Sequence, residues 1–422
     1  MTKIRLAVAG AGGRGYAYAE AVKNDPDVEI VADAEPNQIA RERFVADFGV
    51  PAEGVFHTWE EMSEVPKLAD AMIIAILDRQ HRDATVKFAD LKYDILLEKP
   101  IAPTEAECDD IEAAVQANGV RLTVCHVLHY TPYTVALKEL IAAGEIGDIV
   151  NIVNIEHLEP IGHTHFAHSF VRGNWRNEAL SSSILLQKSC HDIDWLIDVV
   201  EKPVERVSSF GSLTHFNAAN KPEGAADRCL QCPLQKTCTY SAPRYYLRGI
   251  DNPGSAEEYC ARVVAGEVTE ESILNALETG PYGRCVYASD NDVVDHQTVQ
   301  MEFAGGVLAS FTLTAFSQGA NRKTRIFGTK GQVTGDGQFL EVFDFFSEKT
   351  RTIDTFAAGH DAATGHGGGD EGLMNSFVKV LRKDKEAVVR SGLSDALVSH
   401  RVVSAAERAR KAGVIERLTV NA

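Results

Sequence analysis

Gly10-Ala11-Gly12-Gly13-Arg14-Gly15 forms a G-x-G-x-x-G turn near the start of the sequence. In such a turn the first glycine permits a tight bend and the second lets a pyrophosphate approach the backbone. The third lets a helix pack closely on a strand. The context agrees: Leu6–Ala9 reads as a buried strand, and Tyr16–Lys23 reads as a helix. The start of that helix offers free N–H groups and a positive dipole end to an anion. A second strand, Val28–Ala32, runs into Asp33, at about the spacing of the carboxylate that holds an adenosine ribose. Gly10, Gly12, Gly13, Arg14, Gly15 and Asp33 are therefore candidate ligands of a dinucleotide, with a structural glycine turn as the alternative. A carboxylate bonds a free 2′-OH and repels a 2′-phosphate, so Asp33 favours NAD over NADP.

Four further groups of residues could do chemistry. Ile184–Val200 reads as one helix on which Gln187, His191 and Asp194 share a face at i, i+4 and i+7. The segment "HLEPIGHTHFAHSFVRGNWR" gathers His163, His165, His168, Trp175 and Arg176 in a loop-like stretch. Its donors and flat apolar ring suit a polyhydroxylated or carboxylated substrate; metal binding by the histidines and ordinary loop roles are the alternatives. Cys229, Cys232 and Cys238 lie close together in a polar insertion at about 217–285. They suggest a structural zinc whose fourth ligand is Cys285, Cys260 or a histidine, with Cys285 preferred because a tight turn precedes it. Buried free thiols are the alternative. Gly359–Asp370, with His366 beside three glycines, reads as a solvated or a substrate-lining loop, and Asp370 as the N-cap of a helix Glu371–Arg382.

The elements that must position these groups alternate in the first part of the chain. Helix Gln38–Phe48 is followed by an apolar strand Ala71–Leu77, then helix Arg82–Leu91 and strand Ile95–Leu97. Helix Thr104–Asn118 and strand Val120–Val124 complete the pattern of a doubly wound parallel sheet. Asp78, His81, Glu98, Lys99 and Pro100 fall just past strand ends, where open α/β sheets bind ligands. After helix Thr131–Gly144, strands Val150–His157, Glu205–His215, Val293–Phe303, Val307–Phe316, Lys323–Phe327 and Phe339–Phe346 follow. These predict an α+β second domain on a large, mostly antiparallel sheet. The expected division is 1–126 and 127–422, ending in a helix over Ser391–Gly413 and a short strand Val414–Leu418.

Forty-two Lys+Arg against sixty Asp+Glu give a net charge of −18, which argues against nucleic acid or an anionic membrane as partner. No apolar run approaches the roughly 20 residues of a spanning helix, and no signal-peptide pattern precedes the first strand. A soluble cytoplasmic protein is expected, in which the eight cysteines are thiols or metal ligands rather than disulfides.

The glycine turn, Asp78-x-x-His81, the Glu98-Lys99-Pro100 triplet and "VLHYTPYTVALKELIAAGEIG" at 127–147 resemble the Gfo/Idh/MocA oxidoreductases. The resemblance runs over most of the chain. It implies that Asp78, His81, Glu98, Lys99 and Pro100 join the cofactor site, and that the peptide before Pro100 is cis. It implies that Lys99 contacts the substrate hydroxyl near the nicotinamide, where an ammonium can stabilise a developing alkoxide. His191 matches the family's proton acceptor and Asp194 its trailing acid, whereas Gln187 stands where the family has an aspartate, beside Lys188. Substrate contacts are expected from His129, Tyr130, His165, His168, Trp175, Arg176, Gln187, Lys188, Asp194 and His366. The resemblance further implies a homodimer or homotetramer and hydride transfer between NAD and a secondary alcohol of a sugar, inositol or related polyol. A glycoside hydrolase that uses NAD transiently, and a non-catalytic dinucleotide-binding protein, are the rival readings.

Overall fold

The computed structural model describes residues 3–158, 163–319, 321–356, 365–385 and 387–418. Six strands form the first sheet: β1 (Ile4–Ala9), β2 (Val28–Ala34), β3 (Val55–Phe56), β4 (Ala71–Ile74), β5 (Asp94–Leu97) and β6 (Leu122–Val124). They run parallel in the order β3-β2-β1-β4-β5-β6. The order reverses direction between β1 and β4, which is where such sheets open a ligand crevice. Both faces of β4 are buried, as its unbroken apolar sequence requires. The strand ends at Ile74 rather than Leu77, and Leu77 is half-exposed. Gly10 crosses close by this strand end; a methyl group on Gly10 would lie 2.5 Å from the Ala75 carbonyl oxygen.

The second sheet contains β7 (Ile149–Glu156), β8 (Val204–Ser212), β9 (His296–Phe303), β10 (Leu308–Thr314) and β11 (Lys323–Gly328). It is completed by β12 (Gly331–Gly335), β13 (Phe339–Asp344), β14 (Lys349–Asp354) and β15 (Glu416–Arg417). The order is β14-β13-β12-β11-β7-β10-β9-β8-β15, antiparallel throughout except where β10 runs parallel to β7. Residues 242–279 of the insertion form four short helices around a core of their own, which includes Tyr246, Cys260, Ile273 and Leu277.

Two helices from the far end of the chain return to the first sheet. Leu373, Met374, Phe377 and Val378 of helix Gly369–Leu381 complete one of its hydrophobic clusters. Leu393, Ala396 and Leu397 of helix Leu393–Ala412 complete another. A cut at residue 126 therefore does not divide the cores. Asp370 does not cap the first of these helices, since Gly368, with φ 81°, stands at the N-cap and Asp370 lies in the first turn.

The expected single helix over Ile184–Val200 is broken in two, Ile184–Gln187 and Cys190–Val200. Ser183 caps the first piece through Leu186 N–H, and Lys188 and Ser189 form the joint. The stretch expected as a loop is also helical, with an α-turn over His163–Phe166 and a wider π-type turn over Ala167–Arg172.

A tight local constraint acts at Gly15, where a methyl group would lie 1.9 Å from the Gly10 carbonyl oxygen. Gly15→Ala should destabilise the protein by roughly 1–3 kcal/mol through forced separation of helix and turn. A thermal melt with an unchanged midpoint would contradict this close approach.

Candidate functional site

The glycine turn is shaped for an anion. Gly10 has φ 97°, a conformation that favours glycine, and nothing lies within 4 Å of where a side chain on Gly12 would project. Helix Gly13–Val22 begins without a side-chain cap, so its N-terminal pole is left for a ligand. Asp33 is wholly buried at the end of β2, and neither carboxylate oxygen has a hydrogen-bond partner among the described residues. Burial and the neighbouring Glu35 push its acid up to about 7, against the pull of Arg41. Glu35 was not foreseen: its carboxylate accepts from Ala11 N–H at 3.0 Å and links the turn to the end of β2.

The triplet at the end of β5 is braced on every side. Glu98 accepts from Arg14 Nε at 2.8 Å, the Tyr18 hydroxyl at 2.6 Å and Lys99 N–H at 2.7 Å. Burial alone would raise its acid, but Arg14 and Lys99 hold it below the ordinary carboxylate range. Arg14 continues to Asp370 with two bonds, at 3.0 and 2.5 Å. Its guanidinium is thus committed to protein carboxylates rather than aimed at a phosphate. The Lys99–Pro100 peptide is cis. His81 does not face a ligand either, because its ring nitrogens sit 2.8 Å from Pro100 O and 3.1 Å from Ile76 O. Asp78, also buried, accepts from the Ser181 hydroxyl at 2.5 Å. His400, from the last long helix, accepts from Ile101 N–H at 2.9 Å.

Lys99 crosses from this braced turn to the second sheet's side, donating from Nζ to the Gln187 carbonyl at 2.7 Å. Burial lowers its ammonium from the ordinary lysine value, with Cys190 and Glu98 opposing. His165 lies in the same environment. Burial, then Lys188, His168 and Lys99 drive its pKa down to about 3, against Glu156. Lys188 reaches Glu156 at 3.5 Å, and Arg322 bridges Glu156 at 3.0 Å to Asp192 at 2.6 Å. Glu156, a buried acid at the end of β7, and Arg322 carry no motif that marks them in the sequence. His191 is buried on the first turn of the second helix piece, its ring centroid 5.5 Å from that of His126.

Family models match both parts of the chain: "Oxidoreductase family, NAD-binding Rossmann fold" over 4–126, and "Oxidoreductase family, C-terminal alpha/beta domain" over 138–416. The chain belongs to the Gfo/Idh/MocA oxidoreductase family. It is 25% identical to YteT of Bacillus subtilis (strain 168) over 367 residues, 83% of this chain and 82% of that one. It is 26% identical to the scyllo-inositol 2-dehydrogenase (NAD(+)) of the same organism over 233 residues, 54% of this chain and 63% of that one. Among solved structures, the WlbA dehydrogenase from Bordetella pertussis, in complex with NADH and UDP-GlcNAcA, has a TM-score of 0.67 at 16% identity. That likeness covers 100% of this chain and 99% of the other. Membership of this dehydrogenase family accounts for the fold and the strand-end turn. Among the described residues, no helix is long and apolar enough to cross a membrane.

Several of the expected substrate residues have protein partners in this structure. Tyr130 bonds Ser391 Oγ and Arg390 N–H and packs in the first sheet's core. Arg176 pairs with Asp290, and Trp175 lies against Phe170. His168 bonds the Tyr246 hydroxyl at 2.9 Å and stacks on Tyr282, so it anchors the insertion. Burial and Arg172 push it down to about 4. The side chains of His163 and His366 lie outside the described residues. With the helix broken at Lys188, Gln187 and Asp194 no longer share one helix face. Asp194 is buried against His126 at 3.1 Å and in a short bond to His129.

Cys229, Cys232, Cys238 and Cys285 line one cavity of about 260 Å³, without any disulfide. Their sulfurs do not close into a coordination shell. Among the described residues, His126, His129 and Asp194 are the only set of three or more potential ligands gathered within 4.8 Å. His129 is itself engaged on both ring nitrogens, by Asp194 and, at 3.1 Å, by Asp198. Burial alone would lower its pKa, but the two carboxylates raise it to about 9, so it bridges the two acids as an imidazolium.

Because that folded-state pKa lies above 6.5, the bridge's contribution is fully present below about pH 6.5 and is lost as pH rises through about 9. His129→Leu should cost roughly 3–5 kcal/mol at neutral pH by leaving Asp194 and Asp198 without their shared cation. It should also remove that part of the alkaline decline. Urea unfolding across this pH range checks both, and a variant with wild-type stability would contradict the bridge.

Proposed function

We propose that this chain oxidises a secondary alcohol of a sugar, an inositol or a related polyol, with NAD as cofactor. The observation that carries the reading is Lys99: a buried amine at the end of β5, 2.7 Å from the Gln187 carbonyl and close to the helix that carries His191. The first domain suits the dinucleotide through the open backbone at Gly12, the uncapped helix start and the unpartnered oxygens of Asp33. Bound there, the dinucleotide supplies the nicotinamide ring that carries hydride. Asp33 accepts from a ribose hydroxyl, and with Glu35 beside it the negative charge disfavours a 2′-phosphate. Lys99 donates to the substrate oxygen and stabilises charge that develops on it. His191 takes the hydroxyl proton, a task suited to an imidazole. Gln187 cannot accept a proton, so in this reading no side-chain carboxylate at that position extends the relay. The scyllo-inositol dehydrogenase relative supports the substrate class. Exposed Val150, Phe210 and Leu308 on the second sheet support self-association as a homodimer or homotetramer.

An absorbance screen at the reduced-nicotinamide band, with NAD and NADP across sugars, inositols and sugar acids, tests the reaction. Appearance of NADH with one substrate class is the expected result. Silence, together with tightly copurified NAD and glycoside cleavage, would favour the transient-redox hydrolase instead. Lys99→Ala should lower kcat by about 100-fold or more while NADH still binds; unchanged turnover would remove its catalytic role.

Asp33 adds a pH dependence. Its acid sits near 7 in the free protein, and the ionised form is the better acceptor for ribose, so binding gains from deprotonation. NADH affinity should rise as pH approaches about 7 and level off above it. Asp33→Asn should flatten this profile, and a flat wild-type profile over the same range would refute the assignment.

A further inference from the structure

The cysteine-bearing insertion reaches back to the first domain at the glycine turn. Helix Ala256–Ala265 is capped by Ser255, which accepts from Glu258 N–H, and it buries Cys260 and Ala261 in the insertion's own core. Tyr259 projects away from that core and is 55% exposed, yet its hydroxyl rests on the backbone of Gly13. A methyl group on Gly13 would lie 2.2 Å from that oxygen. Gly13 is one of the variable positions of the G-x-G-x-x-G pattern, and its φ is not in the left-handed region. Its lack of a side chain therefore has no conformational reason; the space is taken by Tyr259.

A second contact lies farther along the same helix. At its end, a methyl group on Gly266 would meet Ile39 Cδ1 at 2.8 Å, on the helix that follows Asp33. The insertion thus touches the first domain on both sides of the path from pyrophosphate turn to ribose carboxylate. It is held there from the second domain. His168 bonds Tyr246 and stacks on Tyr282, and Arg172 donates to the carbonyls of Arg284 and Tyr240 at 2.8 Å each.

We propose that Tyr259 is a cofactor-binding residue whose hydroxyl donates to a pyrophosphate oxygen of the dinucleotide at Gly12–Arg14, so that the insertion forms the outer wall of the cofactor site. The inference rests on the dinucleotide reading of that turn. Helix Gly13–Val22 has no side-chain cap, and Arg14 is committed to Glu98 and Asp370. A phenol at Gly13 supplies a neutral donor there, and a hydrogen bond to a charged acceptor is stronger than a neutral one.

The test is fluorescence titration of NADH, with ADP and adenosine as competitors, on the full chain and on Tyr259→Phe. Loss of one charge-assisted bond should weaken NADH and ADP by about ten-fold and leave adenosine unchanged. The melting midpoint should not move, because the ring stays in place. Tyr245→Phe, a change in the same insertion whose hydroxyl faces Cys260, should bind NADH as wild type does. Wild-type affinity of Tyr259→Phe for NADH, or an equal loss for adenosine, would overturn the proposal. Failure of the wild-type chain to bind NADH or ADP would instead overturn the dinucleotide reading beneath it.

Discussion

The burial of Glu98 is the constraint on which the rest of the site depends. A carboxylate removed from water costs several kcal/mol unless charge and hydrogen bonds replace the solvent. Here Arg14 and Tyr18 come from the glycine-turn helix, and Asp370 holds the far side of the guanidinium from helix Gly369–Leu381. One buried acid therefore ties together three segments separated by 84 and 356 residues. Because the backbone N–H of Lys99 donates to the same acid, the turn that carries Lys99 is fixed relative to the turn that suits a pyrophosphate. His81 and His400 add bonds to the next two backbone positions, so the orientation of the lysine does not rest on one contact.

The second domain answers with a buried network of its own. Glu156 on β7 meets Lys188 and Arg322, and Arg322 fastens Asp192 at the start of helix Cys190–Val200. Asn154 on β7 donates to Asp192 as well, at 3.3 Å. These contacts fix both sides of the joint at Lys188–Ser189. The break in the helix has a use in this setting: it leaves the Gln187 carbonyl available to Lys99, where an unbroken helix would direct it along the axis.

Local sequence carried the first domain well, because its strands are apolar on both faces and its turns have glycine and proline punctuation. The glycine turn, Asp33 and the triplet at 98–100 were legible for the same reason. β14 was not, since nearly all of its residues are exposed and it lacks the alternation that marks a half-buried strand. The helix break was hidden because Gln187, Lys188 and Ser189 carry no helix-breaking residue; tertiary bonds decide it. The type and position of Asp370 suggest a cap, whereas its partner Arg14 lies at the other end of the sequence. The histidines of the 157–176 segment were legible as a cluster but not as separate roles, which depend on what each ring faces.

Those roles follow from burial. His165 is pushed down to about 3 and His168 to about 4, so both are neutral near pH 7 and contribute polarity without charge. His400, pushed to about 3 by burial and His126, must present an unprotonated Nε2 to Ile101 N–H, which is the tautomer that lets Nδ1 donate to the Ala396 carbonyl at 2.8 Å. His129 stands at the opposite extreme, locked as an imidazolium between two carboxylates. None of these four can trade a proton readily near neutrality, because each is held in one protonation state by its surroundings. The cation on His129 also satisfies Asp194, so that this acid need not draw a proton from its neighbours.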